Sequence, residues 1–109
     1  MSDINFEQRV ESTFSAIEEA IDDSGADIDC ENSSGVLTLT CEDTKSQIIV
    51  SRQVAKNEIW VAARSGGYYC LWQDQQWRCT STQETLQQLL SRVVTEQSAA
   101  AVDLHWSLV

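Results

Sequence analysis

Seven carboxylates fall between positions 18 and 31: Glu18, Glu19, Asp22, Asp23, Asp27, Asp29 and Glu31, with Glu7 and Glu11 upstream. Oxygen ligands of this type select hard cations: Ca²⁺, Mg²⁺, Mn²⁺, ferric iron and, less selectively, ferrous iron. Their placement opposes folding. The helix that carries the first four ends at Ser24-Gly25, and a helix C-terminus already bears partial negative charge. Glu18/Asp22 and Glu19/Asp23 also repel at i,i+4, at a cost of about 0.2–0.5 kcal/mol per pair. A cation or a basic partner gains from this arrangement. Asp22-Asp23-Ser24-Gly25-Ala26-Asp27 lacks the ligand spacing and closing Glu of an EF-hand. A convex ridge holds metal weakly, partly hydrated and at more than one point, which suits delivery or sensing.

Other chemistry finds little support. Gly66-Gly67 has no following helix and no phosphate-loop lysine, so it reads as a hairpin turn. Cys30, Cys41, Cys70 and Cys79 form no C-x-x-C pair and read as small strand hydrophobes. Among them Cys30 stands out, because Asp29 and Glu31 raise its thiol pKa and dull it. His105, the sole histidine, lies in the tail, with no spacing that builds a triad or a His-rich metal site. Paired carboxylates for acid–base work need an enclosed pocket and split pKa values, which an exposed ridge does not offer. The chain is therefore expected to be non-enzymatic. Trp60 alternates with Ile59 and Val61, which puts it on the sheet face opposite the core. There it is either a protein–protein anchor or covered by the tail or neighbouring strands.

The elements that position these residues follow from periodicity. Ser2 or Asp3 supplies an N-cap, and Phe6, Val10, Phe14, Ile17 and Ile21 make a helical stripe. At 100° per residue, Glu7, Glu11, Glu18 and Asp22 lie within an arc of roughly 60° beside it, with Glu19 and Asp23 further round. Six short strands follow: Asp27–Glu31, Val36–Cys41, Ser46–Gln53, Glu58–Arg64, Tyr68–Trp72 and Trp77–Cys79. Their turns are Asn32–Gly35, Glu42–Lys45, the looser Val54–Asn57, Ser65–Gly67 and Gln73–Gln76. Sequential strands with short turns read as an antiparallel meander. Ser81-x-x-Glu84 reads as a capping box for a second helix carrying Leu86, Leu89, Leu90, Val93 and Val94, which ends at Ser98–Ala101. Tyr68, Tyr69, Trp72 and Trp77 read as sheet packing. The tail from Val102 is apolar and lies back on the body. The expected fold is α+β, a two-layer α/β sandwich of α-β(6)-α order with both helices on one sheet face. The other face is left to water or a partner.

At 109 residues the chain is a single domain spanning 1–109, and 42% hydrophobic content supports an ordered core. Its net charge of −10 argues against nucleic acid and anionic membranes. It favours cations or basic protein surfaces. Positions 1–31 hold ten acids against Arg9 alone, while the remainder holds seven acids and six bases. With no apolar signal segment and no span-length apolar run, the expected setting is the bacterial cytoplasm, with reduced thiols.

The chain resembles the bacterial frataxins of the CyaY type. The resemblance is carried by Ile17-Glu18-Glu19, Asp22-Asp23, Asp27-Ile28-Asp29-Cys30-Glu31 and Gly35-Val36-Leu37-Thr38-Leu39-Thr40. It continues through Ser46–Gln53, Ile59-Trp60-Val61-Ala62, Gly66-Gly67-Tyr68 and Glu84–Leu90, and so covers nearly the whole chain in order. It implies a role in iron–sulfur cluster assembly, as an iron-sensitive regulator or an iron donor. By position the iron ligands (Fe²⁺ or Fe³⁺, weakly bound) are Glu18, Glu19, Asp22, Asp23, Asp27 and Asp29, neighboured by Glu7 and Glu11. Implied partners are the cysteine desulfurase and the scaffold protein, met by Glu18, Glu19, Asp22, Asp23 and Trp60. Two departures stand out: a shorter, less acidic loop after Asp23, and a longer, more apolar tail. A monomer is the default state, with metal-induced oligomers as a variation. The rival readings are a ferroxidase or iron-storage activity on the ridge, and an acidic interaction module with incidental metal binding.

Overall fold

The computed structural model describes residues 6–53, 56–73, 76–98, 101–104 and 106. Helix α1 spans Phe6–Ser24, and six strands follow: β1 Ile28–Ser33, β2 Val36–Cys41, β3 Ser46–Gln53, β4 Glu58–Ala63, β5 Gly66–Gln73 and β6 Gln76–Cys79. Helix α2 spans Leu86–Ser98. The strands form one antiparallel sheet in chain order, β1-β2-β3-β4-β5-β6. The α-β(6)-α sandwich read from the sequence is the fold observed. The expected N-cap at Ser2 or Asp3 and the histidine at 105 lie outside the described residues.

The apolar stripe of α1 is its buried face: Val10, Phe14, Ile17 and Ile21 are each no more than 2% exposed. They meet the inward residues of the sheet, where Leu37 pairs with Val50, Val50 with Val61, and Ile59 with Cys70. Leu86, Leu89, Leu90, Val93 and Val94 of α2 complete the core. The described part of the tail returns to the body. Val102 and Leu104 are buried in the core cluster, while Thr95 Oγ1 bonds the backbone of Val102 and Ser91 Oγ bonds that of Leu104.

Helix α1 stops where Gly25 takes φ 74°, a left-handed cap that costs glycine no Cβ clash. Ser24 Oγ reinforces the stop, donating to Ile21 O and accepting from Ala26 N–H. The β1–β2 turn is tighter than its sequence suggests. Only Ser34 and Gly35 lie in it, both at positive φ. That is the two-residue turn whose twist matches flanking strands, so β1 runs on to Ser33. A side chain at Gly35 would overlap that of Arg52. Likewise Gly66 and Gly67 open β5, paired with Ala63 and Ala62, and the turn before them is Arg64-Ser65.

The capping box of the second helix is also displaced. Helix α2 starts at Leu86, and the reciprocal pair is Thr85 with Gln88. Gln88 N–H donates to Thr85 Oγ1 at 3.2 Å, and Thr85 N–H donates to Gln88 Oε1 at 3.0 Å. Ser81 and Glu84 have other work. Ser81 Oγ lies against the Cys79 thiol, and Glu84 takes two hydrogen bonds from Arg92. At the far end of α2, buried Gln97 bonds Ser46 Oγ and Gln47 O and accepts from Arg64 N–H. That side chain ties the helix to the β2–β3 and β4–β5 ends of the sheet.

Candidate cation- and partner-binding site

The last turns of α1 lie beside the start of edge strand β1. Glu18, Ile21, Asp22, Gly25, Ala26, Ile28 and Cys30 line an open cleft of about 350 Å³ between them. Cys30, half-buried, reports who faces it. Burial pushes its thiol up to about 11, assisted by the negative charges of Glu18, Asp29 and Asp22. Two predicted site carboxylates, Glu18 and Asp22, therefore border one cleft, and Asp29 adds its charge through the strand. Glu18 and Asp22 come from the helix, while Asp29 stands on the far side of the β1 pleat.

The other predicted residues are placed apart from this cluster. Glu19 and Asp23 are exposed on the solvent side of α1. Asp27 lies in a second cleft, of about 220 Å³, between the C-terminal ends of the two helices. Asp43, a carboxylate the sequence does not connect to the site, lines the same cleft. Only the packing of the β2–β3 turn against both helix ends reveals that neighbour. Glu7, at the opposite end of α1, is 3.7 Å from Arg52 Nη1, and Glu11 is exposed. Among the described residues no three His, Cys, Asp or Glu side chains are arranged to hold a metal ion. The ridge carboxylates are spread along a 19-residue helix rather than gathered into a chelate.

Its electrostatics are uncompensated. Among the described residues none of Glu18, Glu19, Asp22, Asp23, Asp27 or Asp29 has an ion-pair partner. Neither helix carries a basic residue in its last turn. Four of the seven bases are engaged elsewhere: Arg9 over the Trp72 ring, Arg52 with Glu7, Arg92 with Glu84 and Glu96, and Lys45 with Glu42.

Trp60 stands on the sheet face away from the helices, as alternation requires. The described part of the tail packs against α2 on the helix layer, so those residues do not cover this tryptophan. The partial cover comes from Tyr69, directly opposite on β5, with ring centroids 4.6 Å apart, while Trp60 Nε1–H donates to Glu58 at 3.0 Å. Tyr69, 45% exposed, is the most solvent-facing large hydrophobic among the described residues. The sequence reading placed it in sheet packing. The signal that finds it is the parity of β5: with Cys70 inward, Tyr69 must point outward.

A family model describing the frataxin-like domain matches residues 1–100. The iron-sulfur cluster assembly protein CyaY of Ectopseudomonas mendocina is 43% identical over 105 residues, 94% of each chain. The chain belongs to the frataxin family. The CyaY of Vibrio parahaemolyticus is 41% identical over 103 residues, 94% of this chain and 98% of that one. Among solved structures, the frataxin of Psychromonas ingrahamii superposes with a TM-score of 0.82 at 25% identity, covering 94% of this chain and all of the other. A trimeric frataxin from the yeast Saccharomyces cerevisiae, complexed with ferrous iron, superposes at 0.67 with 20% identity over 91% of this chain and 89% of its own. That second likeness is one of fold. Within the frataxin fold, the acidic cleft and ridge belong to α1 and β1, and Trp60 and Tyr69 belong to the open sheet face. No helix among the described residues is long and apolar enough to cross a membrane.

Proposed function

We propose that this chain serves iron–sulfur cluster assembly in the bacterial cytoplasm as a non-catalytic, iron-binding regulator. Its cargo is iron, and its partners are the cysteine desulfurase and the scaffold. The observation that carries this reading is the unpaired, single-signed charge of Glu18, Glu19, Asp22, Asp23, Asp27 and Asp29. Exposed carboxylates that do not form a chelate hold a hard cation through one or two oxygens, with water filling the rest of its shell. Such a cation is loaded and released readily. The same charges steer a basic protein surface, raising its association rate in a salt-dependent way. The Trp60–Tyr69 pair adds an aromatic contact on the open face, of the kind that anchors protein interfaces.

The decisive experiment is a binding assay with purified cysteine desulfurase. Charge reversal at Glu18, Glu19 and Asp22 to Lys abolishes the complex, and Trp60→Ala weakens it while leaving the fold intact. Full retention by the charge-reversed protein at moderate salt overturns the reading. Ferrous titration followed by NMR under anaerobic conditions separates the rivals. Shifts concentrated at residues 18–31 support ridge binding, and no shifts at millimolar metal support a plain acidic module. Catalytic oxygen consumption in air would support a ferroxidase instead.

A further inference from the structure

A second cluster lies at the opposite edge of the sheet, away from the acidic ridge. Cys70 on β5 and Cys79 on β6 are paired residues in the antiparallel register, both fully buried on the inward face. The hydrogen bonds around them define the type of pair. Thr80 N–H donates to Tyr69 O at 2.9 Å, whereas Cys79 N–H turns away to Glu84 O at 2.7 Å. Cys70 and Cys79 therefore occupy a non-hydrogen-bonded position, where opposed Cα atoms approach to about 4.5 Å. That separation lies within the range of roughly 4.4–6.8 Å that a disulfide spans. The two thiols are close enough for Cys79 to raise the Cys70 thiol.

The pair is chemically asymmetric. Hydrogen bonds from Ser81 and Thr82 lower the Cys79 thiol below its ordinary value and outweigh its burial. Burial and the neighbouring Cys79 push Cys70 up to about 12. One sulfur is prepared as a nucleophile and the other as the thiol that resolves it. Cys79 also lies nearer the surface. It ends a four-residue edge strand, and the exposed Ser81 side chain lies 3.4 Å from its sulfur.

We propose that Cys70 and Cys79 form a redox-active dithiol that closes to a cross-strand disulfide under hydrogen peroxide and reopens under a dithiol reductant. The Cys79 thiolate attacks one peroxide oxygen and the O–O bond breaks. The departing hydroxide takes up the proton lost by Cys79 and leaves as water, and Cys79 becomes a sulfenic acid. The Cys70 sulfur then attacks the Cys79 sulfur, the S–O bond breaks, and the oxygen leaves as water with the Cys70 proton. In sum the two thiols give up two electrons and two protons, and peroxide becomes two waters. The new bond ties edge strand β6 to β5. It lies beside the Trp72–Trp77 pair, whose centroids are 5.3 Å apart, so closure quenches tryptophan emission.

The test uses the folded full-length chain. It is treated with peroxide, alkylated with iodoacetamide under denaturing conditions and digested with trypsin. Cleavage at Arg64, Arg78 and Arg92 places the two cysteines on separate peptides, Ser65–Arg78 and Cys79–Arg92. The expected product is these two peptides joined, lighter by the mass of two hydrogens and separated again by dithiothreitol. Cys70→Ala should leave Cys79 as a sulfenic acid that dimedone captures. A different cysteine pairing overturns the proposal. So does full alkylation of Cys70 and Cys79 under peroxide sufficient to oxidise the urea-unfolded chain. Should the variant not fold, the wild-type peptide map decides alone.

Discussion

Replacing Glu18, Glu19, Asp22 and Asp23 by their amides should stabilise the empty protein while abolishing its response to cations. The magnitude follows from where the four residues stand. Two i,i+4 repulsions disappear, each about 0.2–0.5 kcal/mol. Asp22 and Asp23 lie in the last turn of α1, and each carboxylate removed from a helix C-terminus returns roughly 0.3–1 kcal/mol at low ionic strength. The total is about 1–3 kcal/mol in dilute buffer. Because these side chains are exposed or half-exposed, physiological salt, with a Debye length of about 8 Å, brings it towards the lower end. For a domain of this size about 1 kcal/mol moves the melting temperature by about 4–8 °C. Thermal unfolding by circular dichroism at two salt concentrations measures it, and the difference between wild type and variant should shrink as salt rises. The second arm adds Mn²⁺ or anaerobic Fe²⁺. Wild-type stability rises as RT ln(1 + [L]/Kd), and the amide variant stays flat. Equal melting temperatures in low salt would refute the electrostatic reasoning, and an unchanged metal response would refute its link to binding.

Thr13→Val keeps the shape of a buried side chain but removes the acceptor that Trp77 Nε1–H uses at 2.8 Å. The orphaned donor should cost about 1–3 kcal/mol in urea unfolding. Thr85→Ala should cost about 1 kcal/mol by loss of the true cap, and Ser81→Ala distinctly less, in the same assay. Glu84→Gln tests a pH dependence. The Arg92 guanidinium holds the Glu84 carboxyl below its ordinary 4.5. That stabilisation is present above pH 4.5 and is lost as pH falls through the depressed folded-state value. Acid titration of stability should therefore be shallower for the variant below pH 4.5, and parallel curves would count against the pair.

The fold was legible because its two periodicities are clean. Phe6-Val10-Phe14-Ile17-Ile21 admits one helix face, and Leu37-Leu39-Cys41 admits one strand face. The misplacements have a shared cause: short polar segments carry several turn solutions. Asn32–Gly35 reads as a four-residue turn, but Ser34 and Gly35 alone supply the positive φ values, and Asn32 and Ser33 continue the ladder opposite Leu37 and Val36. Ser81 and Glu84 have the composition of a capping box. So do Thr85 and Gln88, and the burial of Leu86 directly after Thr85 decides between them.

The candidate site was legible in sign and in phase, but not in partnership. Helical phase put Glu18 and Asp22 on the edge of the apolar stripe, where they do border the cleft over Cys30. Phase along one helix says nothing about the strand beside it. The separation of Asp27 from Asp29, and the sharing of one cleft by Asp27 and Asp43, appear only once β1 and the β2–β3 turn are docked. The cysteine pair teaches a different lesson, because its signal was present. Gln73 and Gln76 flank the β5–β6 turn, and Cys70 and Cys79 are equidistant from its midpoint. An antiparallel hairpin must then place them opposite each other, as it places Trp72 opposite Trp77. Spacing along the chain made these cysteines look irregular, whereas reflection through the turn makes them a pair. In a meander of six sequential strands, that reflection is the more informative coordinate. Wherever two reactive side chains sit symmetrically about a short turn, their chemistry should be considered jointly before either is assigned to the core.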